Sequence, residues 1–167
     1  MRTSNPAGLR FQTYLDLAAY ELIIASGSVT FGTLIAPEAY ITQADGSLNY
    51  SALTVDCGWK MLNILSTVQH QTEYDLFFNA ALVEIREYNY EAEFIARGYM
   101  EITYADGTTA FFYAAVTDNG RSVANVAEKA YNDVRLVKTK EYAYELADGT
   151  YSCYDDTVRG VLSGFIG

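Results

Sequence analysis

The sequence predicts an α+β fold: a mainly antiparallel sheet of about eight strands with two helices packed on one side. Three observations predict it. First, strand-like runs follow one another without helical crossovers, so neighbours join by hairpins and run antiparallel. Second, the tripeptide Ala-Asp-Gly occurs three times in 167 residues. Two copies stand between alternating runs, where Asp-Gly is the sequence of a two-residue hairpin turn with both central residues at positive φ. Third, the aromatic residues are lopsided, with 15 Tyr, 8 Phe and 1 Trp, and Tyr suits strands whose rings are half-buried while the hydroxyl reaches water.

The elements follow in order. "LRFQTYL" (9–15) puts Leu9, Phe11, Thr13 and Leu15 on one face and Arg10, Gln12 and Tyr14 on the other, a strand with one buried side. Asp16 is placed to cap a short helix over 17–26, with Leu17, Tyr20, Ile23 and Ile24 at helical spacing and Gly27 as its left-handed C-terminal cap. "VTFGTLIAP" (29–37) is a second strand, stopped by Pro37. Residues 38–60 read as irregular and carry the copy at Asp45-Gly46, a loop turn without clear flanking strands. Two strands are expected at 61–70 and 75–85. The run 92–104 points Phe94, Ala96, Gly98, Met100 and Ile102 one way, and a strand over 109–117 follows Asp106-Gly107. The period then changes: Val123, Val126, Ala127, Ala130 and Tyr131 form one stripe over 121–133, with Ser122 as N-cap. A last hairpin is expected at 140–156 around Asp148-Gly149.

The chain reads as one domain over 1–167 with residues 1–7 as a leader. No Ser-, Gly- or Pro-rich tract marks an internal linker, and "MRTSNPAGLRF" lacks the apolar core of a signal peptide. Formal charge is −10. Such a surface repels phosphate backbones, which argues against nucleic acid as a partner. The basic group Lys129, Arg135, Lys138 and Lys140 reads as a solvated helix end and strand start. No apolar run is long enough to cross a bilayer, so membrane insertion is not expected. Cys57 and Cys153 both sit in polar surroundings. They are read equally as a bridge, which would add about 4 kcal/mol in an oxidising compartment, or as two separate thiols.

Chemistry-bearing constellations are few. Histidine occurs once, at His70, so a Ser-His-Asp or Cys-His arrangement would rest on that residue alone. No Gly-x-Ser-x-Gly elbow is present, and neither nucleotide-binding fingerprint occurs. His70, Cys57 and Cys153 are too scattered for zinc, and no copy of Ala-Asp-Gly offers the alternating oxygen ligands of a calcium loop. No metal and no cofactor is expected. Two carboxylates flanking a cleft would suffice for glycoside hydrolysis, and Glu84, Glu87, Glu91, Glu93 and the pair Asp155-Asp156 are available. Sugar binding without catalysis needs less: exposed rings and a few polar groups. Trp59, in "CGW", and Tyr88 and Tyr90, in "EYNYEAE", are the ligand-binding candidates, against the reading that they anchor loops.

Four blocks, "GLRF" (8–11), "FGTLIAP" (31–37), "AALVEIREYNYEAEFIARGYMEI" (80–102) and "RSVANVAEKA" (121–130), occur in that order. On them the chain resembles a module recurrent in large secreted and cell-surface proteins of Gram-positive gut Firmicutes. The resemblance spans residues 8–130 and implies an extracellular, exported, modular context. Carbohydrate-active or adhesive modules would neighbour it in a longer chain. Arg10, Arg97 and Arg121 are the arginines in the matching blocks. They read either as an anion site or as structural arginines in salt bridges to acids such as Glu84, Glu93 or Glu101. The expectation is a non-catalytic extracellular module, with polysaccharide or a cell-surface protein as partner. A structural spacer or adhesion module is the alternative, and an acid-pair glycoside hydrolase a third.

Overall fold

The computed structural model describes residues 1–57, 61–71, 75–115, 120–133 and 144–166. The fold is α+β, and its sheets are mostly antiparallel, as the sequence predicts. The chain divides into two compact units. One, the sheet unit, comprises Arg10–Ala81 and Glu93–Gly120; the other, the terminal unit, comprises Met1–Leu9, Leu82–Ala92 and Arg121–Gly167.

In the sheet unit, strands β2 (Gly27–Pro37), β3 (Leu62–Ser66), β6 (Phe94–Tyr104) and β7 (Thr109–Tyr113) form a four-stranded sheet in the order β3-β2-β6-β7. β2 and β6 pair antiparallel along their whole length, from Gly27↔Tyr104 to Pro37↔Phe94. A three-stranded sheet in the order β1-β5-β4 is built from β1 (Gly8–Asp16), β4 (Val68–Gln71) and β5 (Asp75–Val83). The run expected as one strand over 61–70 is therefore two, β3 and β4, which belong to different sheets. Thr67 is the only residue between them.

Alternation decides what is buried. On β1 the inward row is Leu9, Phe11, Thr13 and Leu15, and on β5 it is Leu76, Phe78, Ala80 and Leu82. Phe31 of β2 meets Phe78 of β5 with ring centroids 4.9 Å apart. Burying each such side chain stabilises by roughly 1.5–3 kcal/mol. A second cluster lies at the Pro37 end of β2, where Ala36 and Ile95 are covered by Ile41 and Leu53 from the segment that follows β2. The apolar residues scattered through 38–57 thus close one end of the sheet.

Helix α1 (Leu17–Ile24) starts where expected, with the Asp16 carboxylate accepting from the Ala19 N–H at 2.9 Å. Its end differs. The C-cap is Ala25 in right-handed geometry, and Gly27 is the first residue of β2, where a side chain would strike the Thr103 carbonyl of β6. Close strand approach, rather than a left-handed cap, is the reason for glycine there. No residue of α1 is fully buried, and Leu22 is 77% exposed.

In the terminal unit, α2 (Val123–Tyr131) matches the expected helix. The Ser122 hydroxyl accepts from the Asn125 N–H, and Val123, Ala124 and Ala127 are buried. A third helix, α3 (Asp156–Ser163), is capped by Asp155 and packs against α2. Its apolar residues, Val158, Val161 and Leu162, are too few to announce it in sequence. Arg159 joins the two helices: its guanidinium lies 3.7 Å from the Tyr131 ring centroid and donates to the Tyr131 carbonyl and the Ser152 hydroxyl. The expected last hairpin is present as two short strands, β8 (Tyr144–Glu145) and β9 (Tyr151–Ser152). Residues 134–143, with Arg135, Lys138 and Lys140, lie outside the described residues. Near the N-terminus, Arg2 pairs with Gly8 and its Nε donates to the Pro6 carbonyl at 2.8 Å.

The three Ala-Asp-Gly copies are one structure. In each, the residue before Ala accepts from the Gly N–H and donates its own N–H to the Ser or Thr after Gly: Gln43 with Gly46 and Ser47, Tyr104 with Gly107 and Thr108, Leu146 with Gly149 and Thr150. Gly46, Gly107 and Gly149 have φ of 82°, 82° and 79°, while none of the three Asp residues has positive φ. This is the three-residue loop with a type I turn and a bulged glycine, not the two-residue turn expected. The copy at 45–46 is equally a hairpin, closed by Thr42↔Leu48.

Candidate functional site

The arginines of the sequence blocks divide by environment. Arg97, half-buried on β6, donates to three backbone carbonyls, those of Ala114 (3.1 Å), Tyr50 (3.4 Å) and Leu53 (3.2 Å), and lies 4.8 Å from the Tyr113 ring centroid. Burial pushes its pKa down, and the neighbouring Tyr113 opposes that shift. Among the described residues its hydrogen-bond partners are carbonyls rather than the carboxylates expected. Its role follows from them: it ties the segment 50–53 to the sheet. The Val55 N–H donates to the Tyr113 hydroxyl beside it. Arg121 begins the turn into α2, and Arg10 is exposed on β1.

The ligand-binding candidates separate as well. Tyr88 is 76% exposed, with Arg86 Nη1 at 3.5 Å from its hydroxyl. Tyr90 is a packing residue: its ring lies 5.0 Å from Phe165, and its carbonyl accepts from the Ala124 N–H at the start of α2. Trp59 lies outside the described residues. Cys57 and Cys153 are free thiols; Cys57 Sγ is 3.2 Å from Met61 Sδ, and Cys153 Sγ donates to the Asp133 carbonyl at 2.9 Å. Among the described residues no group of three or more His, Cys, Asp or Glu is placed to hold a metal ion, and no helix is long and apolar enough to cross a membrane.

One surface gathers aromatic and hydrogen-bonding side chains, and sequence reasoning did not single it out as a site. The outward row of β1 is Arg10, Gln12 and Tyr14, all exposed, and the outward row of β5 is Phe77, Asn79 and Ala81. Tyr14 is 66% exposed and its ring lies 5.8 Å from Phe77, tilted by 53°. At the other end of β1, a side chain on Gly8 would meet Leu82 and Val83, so β1 and β5 run antiparallel and Arg10, Gln12, Phe77 and Asn79 share one face. Successive outward positions on a strand are about 7 Å apart. The face is therefore a flat strip with rings at one end, two amides in the middle and a guanidinium at the other end. The signal was present in the alternation of "LRFQTYL"; Phe77 was hidden because "DLFFNAALV" is apolar on both faces.

A second feature is a cleft of about 160 Å³ along the edge strands β1 and β7. By alternation the side chains turned toward it include Thr13, Leu15, Phe78, Met100 and Phe112. Gly98 lies at its floor, where any larger side chain would strike Thr13. It is mostly apolar, and Thr13 brings a hydroxyl to it. Compared with protein-family models, curated proteins and solved structures, the chain finds no match.

Proposed function

We propose that the chain is a non-catalytic extracellular module of a secreted or cell-surface protein of the Gram-positive gut Firmicutes type, and that it binds carbohydrate on the outer face of the three-stranded sheet. The observation that carries this reading is the strip Arg10–Gln12–Tyr14 with Phe77 and Asn79. An exposed ring offers its face to the C–H surface of a pyranose, and amides satisfy hydroxyls as both donor and acceptor. The contact between Tyr14 and Phe77 limits the freedom of the exposed ring, which reduces the ordering cost of binding. None of the five strip residues is a carboxylate or a histidine, which suits binding rather than hydrolysis. The sequence blocks support the same assignment: Gly8, Arg97, Tyr99 and Ser122 have architectural contacts and leave the solvent face of β1 to the ligand.

The test is affinity electrophoresis against neutral plant, host and cell-wall polysaccharides, followed by Tyr14→Ala. Retardation by at least one glycan is expected, and the variant should lose at least about tenfold in affinity, the weight of an aromatic anchor. Tyr14 is exposed, so its fold should be unchanged by circular dichroism. Silence across the glycans, or a Tyr14→Ala variant that binds as well as the parent, would remove the proposal.

A protein-adhesion role is the second reading, and one observation favours it. Among the described residues β7 is the edge of its sheet, with Phe111 and Phe112 exposed, and the apolar cleft opens beside it. An extended peptide adding to that edge would place an apolar side chain in the cleft. Phe112→Glu would abolish such binding and leave glycan retardation intact.

A further inference from the structure

Among aspartyl dipeptides Asp-Gly is the one most prone to form a cyclic imide, because glycine puts no side chain in the way of its own nitrogen. The chain holds three such pairs in exposed turns. In the reaction the Gly nitrogen attacks Cγ of the Asp. A C–N bond forms, the C–OH bond breaks, and water leaves with the amide proton. Water then adds to either carbonyl of the five-membered ring, returning aspartate or giving isoaspartate, whose backbone runs through the side-chain carboxyl.

Two features of each turn act against that chemistry. The attacking nitrogen is engaged: the N–H groups of Gly46, Gly107 and Gly149 donate to the Gln43, Tyr104 and Leu146 carbonyls at 3.0, 2.9 and 2.9 Å. The carboxyl is clasped from the other side. Oδ1 of Asp45 accepts from both the N–H and the hydroxyl of Ser47, at 2.9 and 2.6 Å. Asp106 does the same with Thr108 at 2.9 and 2.7 Å, and Asp148 with Thr150 at 2.9 and 2.6 Å. Charge-assisted bonds of this kind favour the carboxylate. The carboxylate is the poorer electrophile, since its oxygen leaves only after protonation.

We propose that the three Asp-Gly pairs are latent isomerisation sites held closed by the Ser or Thr that follows each glycine, and that the hydroxyl of that residue sets the rate at its own site. The hydroxyl is needed neither for the glycine conformation nor for the hairpin's backbone bonds. Its presence in all three copies, as Ser47, Thr108 and Thr150, has this chemical consequence.

The experiment is ageing of the whole folded chain near neutral pH and 37 °C, with isoaspartate located by peptide mapping and by resistance to cleavage before Asp. Thr108→Val keeps the shape and removes the hydroxyl; Thr108→Ser restores it. Expected is a rise of about fivefold at Asp106 alone in Thr108→Val, the factor carried by one lost hydrogen bond. Asp45 and Asp148 should stay at the parental rate as internal controls, and Thr108→Ser should behave as the parent. The proposal is overturned if Thr108→Val ages at Asp106 no faster than the parent. Equal acceleration at all three sites would assign the effect to loss of fold and overturn the local clasp. So would folded turns that isomerise as fast as the same sites in urea.

Discussion

Glycine at position 32 and tyrosine at position 99 face each other across β2 and β6, and the pair explains both. A side chain at 32 would run into the Tyr99 ring. With none there, the ring crosses β2, and its hydroxyl donates to Asn63 Oδ1 on β3 at 3.0 Å. Tyr99 is only 3% exposed as a result. The sequence suggests close approach or a bulge at Gly32; the register through this position is continuous, so close approach is the answer. Gly32→Ala should cost about 1–3 kcal/mol, as overpacking does. Tyr99→Phe should cost only about 1 kcal/mol, the worth of one hydrogen bond. Urea unfolding of both variants checks the order; a tolerated Gly32→Ala would mean that the ring does not depend on the gap.

At the scale of elements, the hairpins show what was legible and what was not. Alternation placed β1 with the right buried face, because a two-residue period leaves a strand one consistent buried side. β2 was located by its apolar run and β6 by its alternation, and both bury residues on their two faces. Period change and capping likewise located α2. The turns were located but their type was missed. The missing signal was the residue after glycine, Ser47, Thr108 or Thr150, which takes the Asp carboxylate as its partner. α3 was not legible because its apolar stripe is short, and the 61–70 run was not divided because Thr67 is a weak break. The candidate face was half legible: Arg10, Gln12 and Tyr14 were read as one side of a strand, but their alignment with Phe77 and Asn79 is a tertiary fact. The turn chemistry also sets a pH response. The side-chain bonds from Ser47, Thr108 and Thr150, and then their backbone N–H groups, hold the carboxyls of Asp45, Asp106 and Asp148 below the usual carboxylate range. A carboxyl with a depressed folded pKa adds stability above its unfolded value of about 3.9 and loses it as pH falls through the folded pKa. All three should therefore titrate below ordinary Asp in a carbonyl-detected NMR series, and the Ser47, Thr108 and Thr150 amide signals should move with them. An ordinary midpoint at any of the three would show that its clasp is not maintained in solution.

At the scale of the whole molecule, charge distinguishes which glycans the proposed face can take. The chain carries −10 overall, and of the five strip residues only Arg10 is charged. A neutral polysaccharide contacts rings and amides, so its affinity should be nearly independent of salt. An acidic polysaccharide meets the field of the whole chain before it meets Arg10, and that field reaches about 30 Å at 0.01 M ionic strength and about 8 Å at 0.15 M. Its binding should therefore strengthen as salt is added, the reverse of the usual polyelectrolyte trend. Titration calorimetry with one neutral and one uronate-bearing oligosaccharide at the two ionic strengths is the measurement. If the acidic ligand binds more tightly at low salt, Arg10 rather than the ring pair dominates the face, and Arg10→Gln should then erase that preference. If the neutral ligand is the salt-sensitive one, its contact is not on the strip, because nothing among Gln12, Tyr14, Phe77 and Asn79 carries a charge for salt to screen.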